Sequence, residues 1–268
     1  MRLFLICCSL FSITANVKSQ YWQQSVDYTM SVSLDVKTSN YSGKQKLIYK
    51  NNSPETLHKV FYHLYFNAFQ PGSEMAVQLK NSPDKNTRFD VNLDSITKDQ
   101  QGFLKVDNLT QDGVLVKTVD SETILEVILN RPIEPGDSSV FELSFRGHVP
   151  DVIRRAGKNS SEGVAFSMAQ WYPKMAEYDL EGWNADPYIG REFHGVWGNF
   201  DVKITLNKDF MVASSGYLQN ADEIGMGYSG RKKPKTKKSK ITWHFIAPNV
   251  HDFTWAADKD YIHDTYPG

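Results

Sequence analysis

Apolar and polar side chains alternate along most of this chain. Tyr28, Met30, Val32, Leu34 and Val36 are interleaved with Thr29, Ser31, Ser33, Asp35 and Lys37, which is the two-residue period of a strand with one buried face. The period recurs at Phe141, Leu143 and Phe145, and again at Ile241, Trp243 and Phe245. It also runs through Phe200, Val202, Ile204 and Leu206, with Asp201, Lys203 and Thr205 turned the other way. Residues 57–66 and 123–129 are more continuously apolar, which predicts central strands covered on both faces. Turn chemistry punctuates these runs at Asn51-Asn52-Ser53-Pro54, Glu134-Pro135-Gly136-Asp137 and Ser214-Ser215-Gly216. No long stretch has helical period, and there is no internal repeat. The pattern predicts an all-β fold: one large, mostly antiparallel sheet domain with long loops, over about 250 residues.

Composition narrows the class. Of 268 residues, 40% are hydrophobic and 23% charged, which excludes a disordered tail or a disulfide miniprotein. Thirty basic residues against thirty-one acidic ones give a net charge of −1, so no global excess points to nucleic acid or an anionic membrane as a partner. Both cysteines, Cys7 and Cys8, fall in the first eight residues, which removes disulfides, cysteine zinc sites and thiol catalysis from the rest of the chain.

Those cysteines lie in a leader-like stretch. Arg2 opens it, an apolar run follows through Ala15, and Val17-Lys18-Ser19 offers the small residues that a signal peptidase reads. The reading is a signal peptide over residues 1–19 and a secreted or periplasmic product from 20–268. The apolar run is too short for a membrane span of roughly 20 residues, and too little of it precedes Cys7 or Cys8 for a lipoprotein signal. No transmembrane segment is expected. A cysteine-free secreted chain suggests a bacterial source.

Several motifs weigh little. Gly225-Met226-Gly227-Tyr228-Ser229-Gly230 matches G-x-G-x-x-G, but Asn220-Ala221-Asp222 precedes it and a basic run with Pro234 follows, so no strand-to-helix phosphate site is expected. The basic run, seven Lys or Arg within residues 228–240, reads as a solvated hairpin loop before it reads as a polyanion patch. None of the seven histidines is followed by Glu, so H-E-x-x-H is missing. His58 and His63 are five apart and face opposite sides of a strand. No G-x-S-x-G is present. Residues 147–163 are polar and read as a long surface loop.

Residues 166–200 carry the most information. Trp171, Tyr172, Tyr178, Trp183, Tyr188 and Trp197 are interspersed with Glu177, Asp179, Glu181, Asp186 and Glu192. Aromatics among carboxylates suit a ligand-facing loop, for a sugar ring or a cationic peptide terminus. They equally suit a long connection that packs its rings on the sheet.

At this segment the chain resembles the N-terminal domain of the aminopeptidase N family, the gluzincin zinc metallopeptidases, and secreted Bacteroidetes-type members in particular. Residues 28–34 with Tyr41-Ser42-Gly43 are similar to the opening strand pair. Arg131-Pro132-Ile133-Glu134-Pro135-Gly136-Asp137 is similar to the hairpin before the strand ending in Phe145-Arg146-Gly147. Residues 166–175 with Gly198-Asn199-Phe200-Asp201-Val202 resemble the active-site-facing loop and its returning strand. Residues 247–258 resemble the last strand before the catalytic domain.

The resemblance implies a saddle-shaped β domain packed over a thermolysin-like zinc domain. It implies that the loop at Ala169-Gln170-Trp171-Tyr172 reaches the active site and helps hold the α-amine of a peptide substrate. Gln170, Trp171 and Tyr172 are therefore the expected substrate-binding residues. Many relatives carry a glutamate where this chain has Tyr172. The chain has neither G-A-M-E-N nor H-E-x-x-H, so the resemblance implies a fragment that stops before the catalytic domain, with no catalytic residue and no cofactor of its own. Zinc belongs to the complete enzyme, and the missing C-terminal catalytic domain is the expected partner. An exposed apolar face is then expected at Phe166, Met168, Trp171 and Phe253. Two rivals remain: a non-catalytic secreted β module binding glycan through Trp171, Tyr172, Trp183 and Trp197, and a structural surface protein without a ligand.

Overall fold

Alternation in the sequence becomes alternation of burial in β1 (Ser25–Leu34), where Val26, Tyr28, Met30, Val32 and Leu34 are buried. The structure, a computed structural model, describes residues 21–81, 92–151, 155–190, 194–225 and 236–264. The expected leader at residues 1–19 lies outside these residues.

The largest sheet has eight strands in the order β16 (Tyr217–Leu218), β17 (Lys240–Val250), β14 (Gly198–Asn207), β1, β2 (Asn40–Lys50), β8 (Ser138–His148), β4 (Phe103–Gln111) and β5 (Val114–Leu115). Two four-stranded sheets accompany it. One runs β15 (Met211–Ser214), β18 (Trp255–Asp258), β10 (Phe166–Met168), β9 (Gly157–Lys158). The other runs β11 (Lys174–Met175), β3 (Leu57–His63), β7 (Ile124–Ile133), β6 (Lys117–Ser121). A short hairpin joins β12 (Tyr178–Asp179) to β13 (Gly182–Trp183). Among the described strands β1 and β14 pair in parallel, and the other strand pairs are antiparallel. The fold is all-β.

Local chemistry sets the corners. Pro135-Gly136 makes the β7–β8 turn with Gly136 at φ 84, and Asp137 N–H donates 3.0 Å to the Glu134 carbonyl, as a type II turn requires. Asp112-Gly113 (φ 50 and 82) closes the hairpin from β4 to β5. Asn51, fully buried, braces the turn before β3. Its amide donates to the carbonyls of Glu55 and Ile133, at 2.7 and 3.0 Å, and its Oδ1 accepts from Gln24.

The core forms one cluster that links the inner face of the eight-stranded sheet to both smaller sheets. Tyr28 stacks on Phe200, Phe200 on Phe253, and Phe145 meets Trp171.

Two expectations need correction. Residues 57–66 do not form one strand covered on both faces. His58 and Lys59 are exposed, and the chain leaves the strand after His63 for a 3-10 turn over Tyr65–Ala68. Residues 147–163 are not wholly surface, because Ala156, Gly157 and Lys158 are buried, with Lys158 Nζ held 2.9 Å from Asp99 Oδ2. A helix is also present, α1 (Glu74–Asn81), too short at eight residues for its period to stand out. Ser73 Oγ accepts from Ala76 N–H, and the Glu122 carboxylate accepts from Glu74 N–H. These bonds satisfy N–H groups that a helix start leaves without partners.

Candidate functional site

The five residues between β10 and β11, Ala169-Gln170-Trp171-Tyr172-Pro173, are tied to the segment that leads into β18. Tyr172 Oη–H donates 2.9 Å to Asp252 Oδ1, and Gln170 Nε2 donates 3.1 Å to Asp252 Oδ2. Asp252 Oδ1 also accepts from Phe253 N–H at 2.8 Å, and Trp171 Nε1–H donates 3.1 Å to the Phe253 carbonyl. From the other side Tyr41 Oη–H donates 2.8 Å to the Trp171 carbonyl. Gln170 sits at φ 53, a left-handed conformation uncommon for a residue with a Cβ. The bonds on either side of it hold the chain there.

The three expected contact residues differ in exposure. Trp171 and Tyr172 are fully buried. Trp171 packs among Phe145, Tyr172 and Trp255, and Tyr172 sets its edge against Tyr28 and Phe200. Gln170 is largely buried, yet its carbonyl Oε1 is not among the sealed, unpaired polar atoms, and no described group donates to it. The apolar face expected at Phe166, Met168, Trp171 and Phe253 does not exist, since all four are buried. Strand β10 lies between β9 and β18, and these side chains fill the space against the large sheet.

Behind the loop is a buried charge centre that the sequence did not single out. Lys174 is directly opposite His63 in the β11–β3 ladder, so both side chains share one face. Lys174 Nζ lies 3.4 Å from Asp252 Oδ2, an ion pair without hydrogen-bond geometry. Burial pulls the Lys174 ammonium below its usual range, and Asp252 works against that shift. Gly195 is buried against this lysine: a Cβ there would come within 2.4 Å of Lys174 Cε. His63 Nε2 faces the Asn184 carbonyl at 3.0 Å, which places the proton on that nitrogen. Burial lowers the His63 pKa to about 4. Glu177 is pushed up to about 7 by burial and the neighbouring charge of Asp179, while Tyr178 N–H and Lys174 oppose the rise. His63, Tyr65, Asn184, Asp186, Tyr188 and His194 line a cleft of about 160 Å³ beside this centre.

The remaining aromatics of residues 166–200 serve mostly as packing. Tyr178 lies between Trp22 and Trp183, and Trp183 stacks on Tyr49. Trp197 is 45% exposed, with its ring stacked on His251. Glu192 lies outside the described residues, as do residues 226–235 of the glycine motif and the basic run; Gly225 caps the short helix α2 (Ala221–Ile224). Among the described residues no three His, Cys, Asp or Glu converge as metal ligands, so the described residues do not fit a zinc site. Among them no helix is long and apolar enough to cross a membrane.

No protein-family profile and no curated protein matches this sequence. The chain is similar to several solved structures of M1 zinc metallopeptidases. One is a two-domain M1 zinc metallopeptidase mutant bound to L-tryptophan, at 14% identity and a TM-score of 0.48 over 87% of this chain and 43% of that one. Another is a mutant M1 zinc metallopeptidase from Deinococcus radiodurans bound to a Tyr-Ser-Ala substrate, at 15% identity and a TM-score of 0.47 over 87% and 42%. The unmutated enzyme from the same organism matches at 15% identity and 0.48, over 87% and 41%. The chain thus spans less than half the length of each of these three structures.

Proposed function

We propose that this chain is the N-terminal, substrate-contacting and scaffolding domain of a secreted zinc metallo-aminopeptidase, which removes N-terminal residues from peptides. One observation carries the reading. The two most family-like blocks of the sequence, residues 166–175 and 247–258, lie eighty residues apart yet are joined through Asp252 and Phe253. That junction supports a loop held at a set position, as an active-site-facing loop must be. Within this reading Gln170 makes the substrate contact. Its Oε1 can accept a hydrogen bond from a peptide ammonium. Trp171 and Tyr172 supply the anchorage, and the zinc and its ligands belong to a catalytic domain that this chain does not supply.

The glycan-binding alternative loses two of its four rings, because Trp171 and Tyr172 have no accessible face. The test is the reading frame past codon 268 and the activity of its product. The expected result is a frame encoding H-E-x-x-H and a protein that releases N-terminal residues only when zinc is bound. A stop codon directly after codon 268 would overturn the proposal.

A further inference from the structure

We infer that Asp252 is a positioning residue that fixes which end of the Gln170 amide faces a ligand, and so makes this loop an acceptor site for cations. The ligand side of the inference rests on the substrate-contact reading above; the orientation itself does not. A glutamine side chain offers two donors and one acceptor oxygen, and a half-turn of its amide exchanges them. Turned one way, Gln170 would greet an ammonium with a carbonyl. Turned the other way, it would present N–H groups that repel an ammonium and favour a carboxylate.

Asp252 removes that freedom. Its Oδ2 lies 3.1 Å from the Gln170 terminal nitrogen, and a carboxylate can only accept at that distance, so this atom must be Nε2. Asp252 cannot readily turn away. Its Oδ1 is held by Tyr172 Oη–H and Phe253 N–H, and Lys174 Nζ stands 3.4 Å from Oδ2. The lysine is 2% exposed at its side chain and the aspartate 13%, which holds the pair in place with little competition from water. The donor end of Gln170 is therefore spent inward, and Oε1 is left as its unpaired, unsealed atom.

The test is side-chain amide exchange by NMR on the purified, 15N-labelled chain, with Gln170→Glu identifying the Gln170 signal by its loss. The expected result is Gln170 NH2 exchange slowed about tenfold relative to free glutamine, the scale of one charge-assisted hydrogen bond. Asp252→Asn should restore fast exchange, Asp252→Glu should keep part of the protection, and Tyr172→Phe should leave it. If Asp252→Asn does not fold, the Lys174→Met/Asp252→Asn double variant, which leaves no lone buried charge, takes its place. Free-rate exchange in the wild type, or protection indifferent to Asp252, would overturn the inference. Leucinamide and N-acetyl-leucinamide then serve as probes. A Gln170 shift with leucinamide alone supports the cation site. A protected amide that ignores both probes leaves the orientation standing and overturns the substrate-contact reading instead.

Discussion

Tyr41 fills the space that a side chain at Gly147 would need. The two residues are directly opposite in the β2–β8 ladder, and a Cβ on Gly147 would lie 2.3 Å from the Tyr41 ring. Two residues along, the relation reverses: a Cβ on Gly43 would meet the Phe145 ring at 2.4 Å. Each ring lies across a bare backbone, as aromatic–glycine cross-strand pairs do in curved sheets. The position of Tyr41 carries its hydroxyl to the Trp171 carbonyl, so a sheet contact supports the Gln170 loop.

Gly147→Ala is expected to destabilise the chain by about 1–3 kcal/mol through forced displacement of Tyr41. Tyr41→Phe should cost on the order of 1–3 kcal/mol by leaving a buried carbonyl unpaired. Urea unfolding of both variants is the check, with Gly136→Ala as a contrast: a Cβ there meets nothing within 4 Å, although its φ of 84 carries a backbone cost.

Gly195→Ala tests the buried lysine. The new methyl group would press on Lys174 Cε and lie 3.1 Å from the His251 carbonyl. The lysine has little room to retreat without leaving Asp252. A loss of about 1–3 kcal/mol is expected in the same unfolding assay. An unchanged midpoint would mean that the Lys174–Asp252 pair is loosely held.

His63 and Glu177 should tilt the pH profile in opposite senses. The His63 pKa falls from 6.5 to about 4 on folding, so its contribution is complete above pH 6.5 and is lost as pH falls toward 4. The Glu177 pKa rises from 4.5 to about 7, so its contribution is complete below pH 4.5 and is lost as pH rises through 7. Relative to wild type, His63→Phe should gain stability as pH drops from 6.5 to 4. Glu177→Gln should gain as pH climbs from 4.5 to 7. Each change should be on the order of 2–3 kcal/mol across its window. Denaturant midpoints at pH 4, 5.5 and 7.5 measure both slopes.

Added zinc should leave the melting temperature of the purified chain unchanged. All seven histidines are described, and no metal-ligand cluster forms among the described residues. A site selective for the folded state would raise stability by ~4 kcal/mol at a thousandfold excess over its Kd. Differential scanning calorimetry with and without zinc is the check, and an upward shift of several degrees would reveal a ligand set.

Much of the strand content could be read from the sequence because a two-residue period depends only on neighbours along the chain. Tyr28 to Leu34 and Phe200 to Leu206 had to be strands with one apolar face, and both are. The turn at Pro135-Gly136 is equally local, since ring closure and the missing Cβ set φ before any packing. What only the tertiary structure decided is which groups meet. The parallel pairing of β1 with β14 joins segments about 170 residues apart, and nothing in either segment names the other. The aromatics at Trp171 and Tyr172 read equally as ligand-facing or core-packing. They became core because β10 is inserted between β9 and β18, against the inner face of the large sheet. Nothing in the sequence pattern singles out Lys174 or Asp252. Burial, their ion pair and the hydrogen bonds that Asp252 accepts set their roles, and these depend on distances in space that sequence spacing does not encode.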